Sequence, residues 1–361
     1  MRSNNFDFLR IVLALLVLRW HANLVGWDWI LKADLLTGTA AVECFFVISG
    51  FLIFKSWDRS KGLGDYTRKR ARRILPAYVF VILACAILLA SVSTLSASEY
   101  FSNSQVYRYI GAHLSFFGFL QSTLPGVFES NVVQYVNGPL WTIKIEVMFY
   151  AVVPIIAWLA RRTGVVSLFT VIYLLSTVWR LGFEHLEVPT GQRLYEVLGR
   201  QLPGQMSFFV AGGAIFHFFE LFQKHAHRLL ALSVPILILH SYYALPWLYP
   251  AALAIAVLYV AVAAPYLGNF GRYGDFSYGL YIYHYPILQT IAAVGLFADS
   301  PPAAFALGAT ITVVVSVLSW HYLERPMLHK TSHYVEASQA ESKPNPDVAT
   351  EPQAKTSTPT D

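Results

Sequence analysis

The stretch FDFLRIVLALLVLRWHANLVG, residues 6–26, decides how the whole chain is read. It is a run of about 20 mostly apolar residues, long enough to cross a bilayer as a helix, yet it carries Arg10, Arg19 and His21. At about 100° and 1.5 Å per residue, Arg10 and His21 share one face and lie about 16 Å apart along the axis, with Arg19 near the opposite face. Ionisable groups inside a membrane are costly and mark function by default, so the pair defines a polar track along the first helix.

The rest of the composition agrees with a membrane setting. Of 361 residues 56% are hydrophobic and 13% charged, and the mean hydropathy is +0.49, which together give an all-α polytopic membrane protein. The net charge of +5 is uneven: residues 331–361 hold two lysines and five acids, leaving the remainder at +8. That basic excess suits cytoplasmic loops and anionic ligands, and no basic patch separate from the helix ends points to nucleic acid. Cys44 and Cys85 fall in apolar spans and read as packing residues rather than a disulfide or metal pair. The first apolar run is too long for a cleavable signal and lacks a small-residue cleavage site, so it is expected to remain as a helix.

Outward from the first helix, Trp27 and Trp29 suit an interface belt before a second span, residues 37–54. Residues 55–73 then hold Lys55, Arg59, Lys61, Arg68, Lys69, Arg70, Arg72 and Arg73 against Asp58 and Asp65. The positive-inside rule makes this loop cytoplasmic and the N-terminus with it. A third span, 74–93, leads to a long outer segment, 94–137, whose apolar patch at 109–120 is short for a crossing and reads as a re-entrant or surface element. Further spans are expected at 138–159, 165–181, 204–222, 229–243, 246–267, 276–297 and 302–323. An outer loop is expected at 182–203 and a basic inner turn at 223–228. The expectation is about ten transmembrane helices with both termini cytoplasmic. Residues 1–328 form the bundle, and residues 329–361, rich in Ser, Thr, Pro, Glu and Ala, form a disordered tail.

Depth gives the polar residues meaning. His21 lies in the outer part of the membrane, and Glu146 is expected at a similar depth, so the two read as a base and its orienting partner, or as groups that merely satisfy each other in the bundle. Arg70 and Arg73 lie one turn apart at the mouth of the third span. They read as a phosphate clamp or as the ordinary basic flank of a cytoplasmic loop. Ser277, Tyr281 and His284 share one face of the ninth span and line a cavity, or else serve as packing and interface groups. Arg19 and Lys144 are membrane-placed charges able to snorkel, and Glu43 is a structural partner for either. No phosphate loop, nucleophile elbow or metal-ligand spacing is present.

Seven segments in this order resemble the acyltransferase family 3 membrane proteins, which transfer acyl groups to extracytoplasmic sugars and related acceptors. FDFLRIVLALLVLRWH is similar to the family's Arg, ten residues, His pattern, filled by Arg10 and His21. AVECFFVISGFLIF matches the second-helix signature with Glu43, Ser49 and Gly50, and RARRILPAY matches an Arg-x-x-Arg element with Arg70 and Arg73. GPLWTIKIEVMFY supplies Trp141 and Glu146. QLPGQMSFFVAGG, FSYGLYIYHYPI and WHYLERPM resemble the later helices and the closing segment. Arg19 and Lys144 depart from the pattern.

The resemblance implies an O-acyltransferase of a bacterial inner membrane. Its donor is acyl-CoA, most simply acetyl-CoA, with phosphates near Arg70 and Arg73 and the pantetheine arm passing Arg10. It implies His21 as general base or transient acyl carrier, with Glu146 orienting it. Glu43, Ser49, Trp141, Ser277, Tyr281 and His284 become cavity candidates, and no metal is implied. The acceptor is a glycan or lipid-linked sugar entering from outside. No fused extracytoplasmic hydrolase-like domain fits in the tail, so a separate extracytoplasmic partner for the acyl group is an option. The contrasting class is a proton-coupled secondary transporter using Arg10, His21, Glu43 and Glu146 as a relay.

Overall fold

A computed structural model describes residues 4–26 and 37–328; Trp27, Trp29 and the tail after residue 328 lie outside the described residues. The chain forms helices α1 (Phe6–Trp20), α2 (Gly38–Asp58), α3 (Leu63–Leu88), α4 (Ala97–Ser102), α5 (Ser104–Leu114), α6 (Leu140–Thr163) and α7 (Val165–Thr190). They are followed by α8 (Arg193–Gly199), α9 (Leu202–His217), α10 (Phe219–Tyr242), α11 (Tyr249–Val262), α12 (Ser277–Val294), α13 (Pro301–Ser319) and α14 (Arg325–Met327). No strand occurs among the described residues. The apolar segments read from the sequence fall on the longer helices, except that the one at 204–222 runs across the break between α9 and α10.

Six described helices are long and apolar enough to cross a membrane: Phe6–Val25, Gly38–Asp58, Leu63–Val92, Leu140–Thr163, Val165–Pro189 and Pro301–Met327. A seventh is added if Leu194–His217 and Phe219–Tyr242, bent by 112° against each other, make one crossing. The expected ten are not all reached by this measure. The 14 residues of α11 are short, and α12 mixes Tyr, His and Gln into its 18 residues.

Three boundaries differ from the sequence expectation. The basic turn at 223–228 is instead the interior of α10, because Gln, Lys, His, Ala and Arg without Gly or Pro are no helix breakers; the break comes earlier, at Phe218 (φ −107°, ψ 37°). The outer loop at 182–203 is largely helical, in α7 and α8. The arginines of residues 68–73 lie inside α3, which begins at Leu63 rather than at Ile74. The patch at 109–120 contributes to α5, whose 11 residues span about 16 Å, too short to cross. Its Val106, Tyr109 and His113 face is buried, and Tyr78 on α3 donates to the His113 carbonyl at 2.8 Å.

Backbone contact sets the centre of the bundle. A Cβ on Gly50 of α2 would stand 1.9 Å from the Phe209 carbonyl oxygen of α9, and one on Gly212 would stand 2.1 Å from that of Val47. Small residues allow two membrane helices to approach this closely, and close approach is the main source of their attraction where lipid removes the hydrophobic drive. Beside this crossing Phe149 and Phe209 stack with centroids 4.0 Å apart. Gly212→Ala is expected to force the helices apart and cost about 1–3 kcal/mol; a thermal unfolding midpoint in detergent equal to that of the parent would contradict the backbone contact.

Prolines inside helices free carbonyls that other elements then use. Pro154 leaves the Tyr150 oxygen without its helical donor, and the Tyr66 hydroxyl of α3 supplies one at 3.1 Å. Pro286 does the same to Ile282, whose oxygen accepts from Asn137 Nδ2 at 2.9 Å. Asn131 bonds Gln289 at 2.8 Å, and Gln289 Nε2 donates to the Val133 and Tyr135 carbonyls at 2.6 and 2.9 Å. The end of the long segment at 94–137 is thereby tied to α12.

Candidate active site

α1 and α12 lie side by side and run in the same direction. Arg10 meets Asp275 just before α12, and His21, after the last residue of α1, meets His284. Rise per residue places the two contacts about 14–16 Å apart, which turns the polar track of the first helix into a two-ended site.

At the histidine end the hydrogen-bond network fixes the tautomers. His284 Nδ1 lies 3.0 Å from the Leu280 carbonyl oxygen, and His21 Nδ1 lies 2.9 Å from that of Val17. A carbonyl only accepts, so each ring carries its proton on Nδ1. His284 Nε2, 3.0 Å from His21 Nδ1, is then the acceptor of a shared His21 proton. This assignment leaves His21 Nε2 with a lone pair, the form a general base needs. His284 is fully buried, and the Tyr285 ring meets His21 edge-on at 5.0 Å.

The other end is a cavity of about 110 Å³ among α1, α2, α3, α6 and α12, lined in part by Arg10, Arg70, Arg73, Glu146, Ser49 and Tyr281. Arg10 Nη1 and Arg73 both donate to Oδ2 of Asp275, the first at 3.0 Å. The other oxygen of this wholly buried carboxylate accepts the backbone N–H and the hydroxyl of Ser277. Arg73 is further enclosed by Glu324 at 3.6 Å and by the Trp320 and Tyr278 rings at 5.7 and 5.9 Å. Glu324 and Trp320 belong to a π-turn, Trp320–Glu324, the kind of helix irregularity that recurs at functional sites. Gly274 makes room for Trp320: its φ is +129°, and a Cβ there would fall 2.1 Å from the indole nitrogen.

Arg70 differs from its neighbours. It forms no ion pair among the described residues, its guanidinium lies 5.7 Å from the centre of the Tyr150 ring, and its buried Nε has no hydrogen-bond partner. A buried cationic donor left open is costly unless something supplies an acceptor.

The structure redistributes the sequence candidates. Glu146 accepts a 2.6 Å bond from Tyr150 and lies in the arginine cavity; the ring partner of His21 is His284, not Glu146. Glu146 stands opposite Tyr278 and Tyr281 in that cavity, about two turns from His284, because the apolar run starting at residue 138 enters as the loop that meets α12 and becomes helix only at Leu140. Glu43 does not pair with Arg19 or Lys144 as expected. It bonds Arg180 at 3.2 Å and Tyr249 at 2.8 Å, while Lys144 bonds Gln201 and lies 5.2 Å from the Phe119 ring. Trp141 is 36% exposed and stays off the cavity. Ser49 and Ser277 line it. Tyr281 links the two ends: its hydroxyl donates to Thr142 at 2.8 Å, since Thr142 itself donates to the Pro139 carbonyl, and its ring is 6.2 Å from His284. Sequence reasoning passed over Asp275, Glu324, Tyr150 and Arg180. Asp275 carried one usable signal, an acid two residues before the Ser that opens a helix, the spacing of a side-chain turn. Among the described residues no group of three or more His, Cys, Asp or Glu is placed to hold a metal ion.

Comparison with known proteins identifies the family. An acyltransferase domain, that of acyltransferase family 3, matches residues 3–321. Nodulation protein 10 of Rhizobium leguminosarum bv. viciae is 25% identical over 370 residues, covering 90% of this chain and 93% of its own length. The O-acetyl transferase of Shigella phage Sf6 is 28% identical over 339 residues, covering 92% and 98%. O-acetyltransferase OatA of Staphylococcus aureus (strain NCTC 8325 / PS 47) is 22% identical over 346 residues, covering 81% of this chain but 53% of its own. No solved structure matches. With the family's domain spanning most of its length, this all-α membrane chain belongs to acyltransferase family 3.

Proposed function

We propose that the protein moves an acetyl group from cytoplasmic acetyl-CoA to a hydroxyl of an extracytoplasmic or lipid-linked glycan. In this reading it crosses a bacterial inner membrane about ten times, with both termini cytoplasmic. The observation that carries the proposal is the lone pair of His21 Nε2, held by two carbonyls and His284 at one end of a polar line that begins with three arginines. The names of two relatives, O-acetyl transferase and O-acetyltransferase, support the acyl group.

The donor's phosphates meet the cavity, where Arg70 supplies the open guanidinium. Glu146 holds the Tyr150 hydroxyl, and the Tyr150 ring faces Arg70, so Glu146 acts on the donor end by positioning rather than on His21. The pantetheine arm runs past Arg10, Ser277 and Tyr281 towards the histidines. There His21 Nε2 takes the proton of the acceptor hydroxyl, whose oxygen bonds to the thioester carbonyl carbon. The carbon–sulfur bond breaks, and the CoA thiolate leaves with the proton from the imidazolium. His284 stands where an orienting partner is needed, and the outer segment tied to α12 forms part of the acceptor side.

The test uses purified protein in nanodiscs with acetyl-labelled acetyl-CoA and an oligosaccharide. Labelled glycan and free CoA are expected in equal amounts. Absence of both transfer and thioester hydrolysis, with proton-linked solute uptake in proteoliposomes, would sink the proposal in favour of a transporter.

A further inference from the structure

At least four hydrogen bonds from three helices converge on the buried carboxylate of Asp275: from Arg10 on α1, from Arg73 on α3, and from the N–H and hydroxyl of Ser277 on α12. The face of α1 between Arg10 and His21 is buried through Leu13, Ala14, Val17 and Leu18. Apolar contact is non-directional and does not by itself fix how far one helix slides along another. A slip of one residue displaces the helix by about 1.5 Å, enough to break the 3.0 Å bond between His284 and His21.

We propose that Asp275 is a positioning residue of the acyl-transfer site. Its carboxylate locks α1 against α12 through Arg10, and braces both against α3 through Arg73, so that His284 meets His21 at the far end. Two of the three cavity arginines thereby hold the frame, and the third, Arg70, faces the ligand. The kinetic arm of the test rests on the acyl-transfer proposal above; the spectroscopic arm does not.

Asp275→Asn keeps the shape of the side chain and removes the charge that holds two guanidinium groups together. In the full-length protein kcat is expected to fall about 10- to 100-fold, the scale of an ångström's misplacement in a reacting site, while the KM for acetyl-CoA stays within about twofold of the parent. With ¹⁵N-labelled histidine, coupling across the hydrogen bond between the His21 and His284 ring nitrogens is expected in the parent and lost in the variant. If Asp275→Asn does not fold, Ser277→Ala carries the test: it removes one hydroxyl donor to Asp275 and leaves both arginine bonds. There the coupling is expected to weaken and kcat to fall about threefold. Parent-like kcat with parent-like coupling in a folded variant overturns the proposal, as does a raised KM with kcat unchanged. If the parent itself does not acylate, the acyl-transfer reading falls and the coupling alone decides the role of Asp275.

Discussion

His21→Ala is expected to lower acyl transfer by about 10²- to 10⁴-fold, the usual contribution of a positioned acid–base group, with the bundle still folded. Each decade of rate corresponds to about 1.4 kcal/mol, so the catalytic loss amounts to about 3–5 kcal/mol. The structural loss is smaller. The Val17 carbonyl, one partner of the ring, also accepts from the backbone N–H of His21, which alanine keeps. Only His284 Nε2 loses a donor, worth about 1 kcal/mol. Turnover with labelled acetyl-CoA, read beside the thermal midpoint of the same preparation, separates the two. Full activity in the folded variant would falsify the role of His21.

Arg70→Ala is expected to raise the KM for acetyl-CoA about 10- to 100-fold with kcat little changed, as loss of a charged hydrogen bond worth about 1.5–3 kcal/mol requires. The unpartnered Nε of Arg70 is the reason to assign the donor contact here. Arg73→Ala provides the contrast, because it leaves Asp275 and Glu324 buried without a cation they both approach. Breaking such a buried set by removing one member costs about 3–5 kcal/mol, so this variant is expected to lose folded protein before it loses affinity. Calorimetric titration of each variant with acetyl-CoA distinguishes these outcomes, and unchanged affinity in Arg70→Ala sinks the clamp.

The first helix made the membrane class and the polar track legible, because hydropathy and helical spacing act within one segment. Arg10 and His21 both meet the chain of α12, at two levels, and of the face Ser277, Tyr281 and His284 the first two line the cavity while His284 lies beyond it against His21. What spacing did not reach was partnership between segments. Depth counted from the start of an apolar run put Glu146 level with His21, but a run can enter as a loop, as residues 138 and 139 do. Glu43 looked like a partner for charges near it in the count, whereas Arg180, well inside the long apolar helix α7, holds it. Asp275 falls in the gap between two expected spans, and the arginines that pair with it, Arg10 and Arg73, come from helices 265 and 202 residues earlier in the chain.

The prolines at 154 and 286 bear on how the protein comes apart. Each exchanges a bond inside one helix for a bond between elements, Tyr66 to α6 and Asn137 to α12. With Gln289 and Asn131 added, the segment at 94–137 and α12 share polar groups that neither satisfies alone. They are therefore expected to open as one cooperative unit rather than as a loop fraying from a stable helix, and hydrogen exchange giving the segment a lower protection than α12 would contradict it. The wall carrying His284 and the segment at 94–137 are thus expected to share a common local stability, so the contact between His21 and His284 would not stay ordered while that segment is detached.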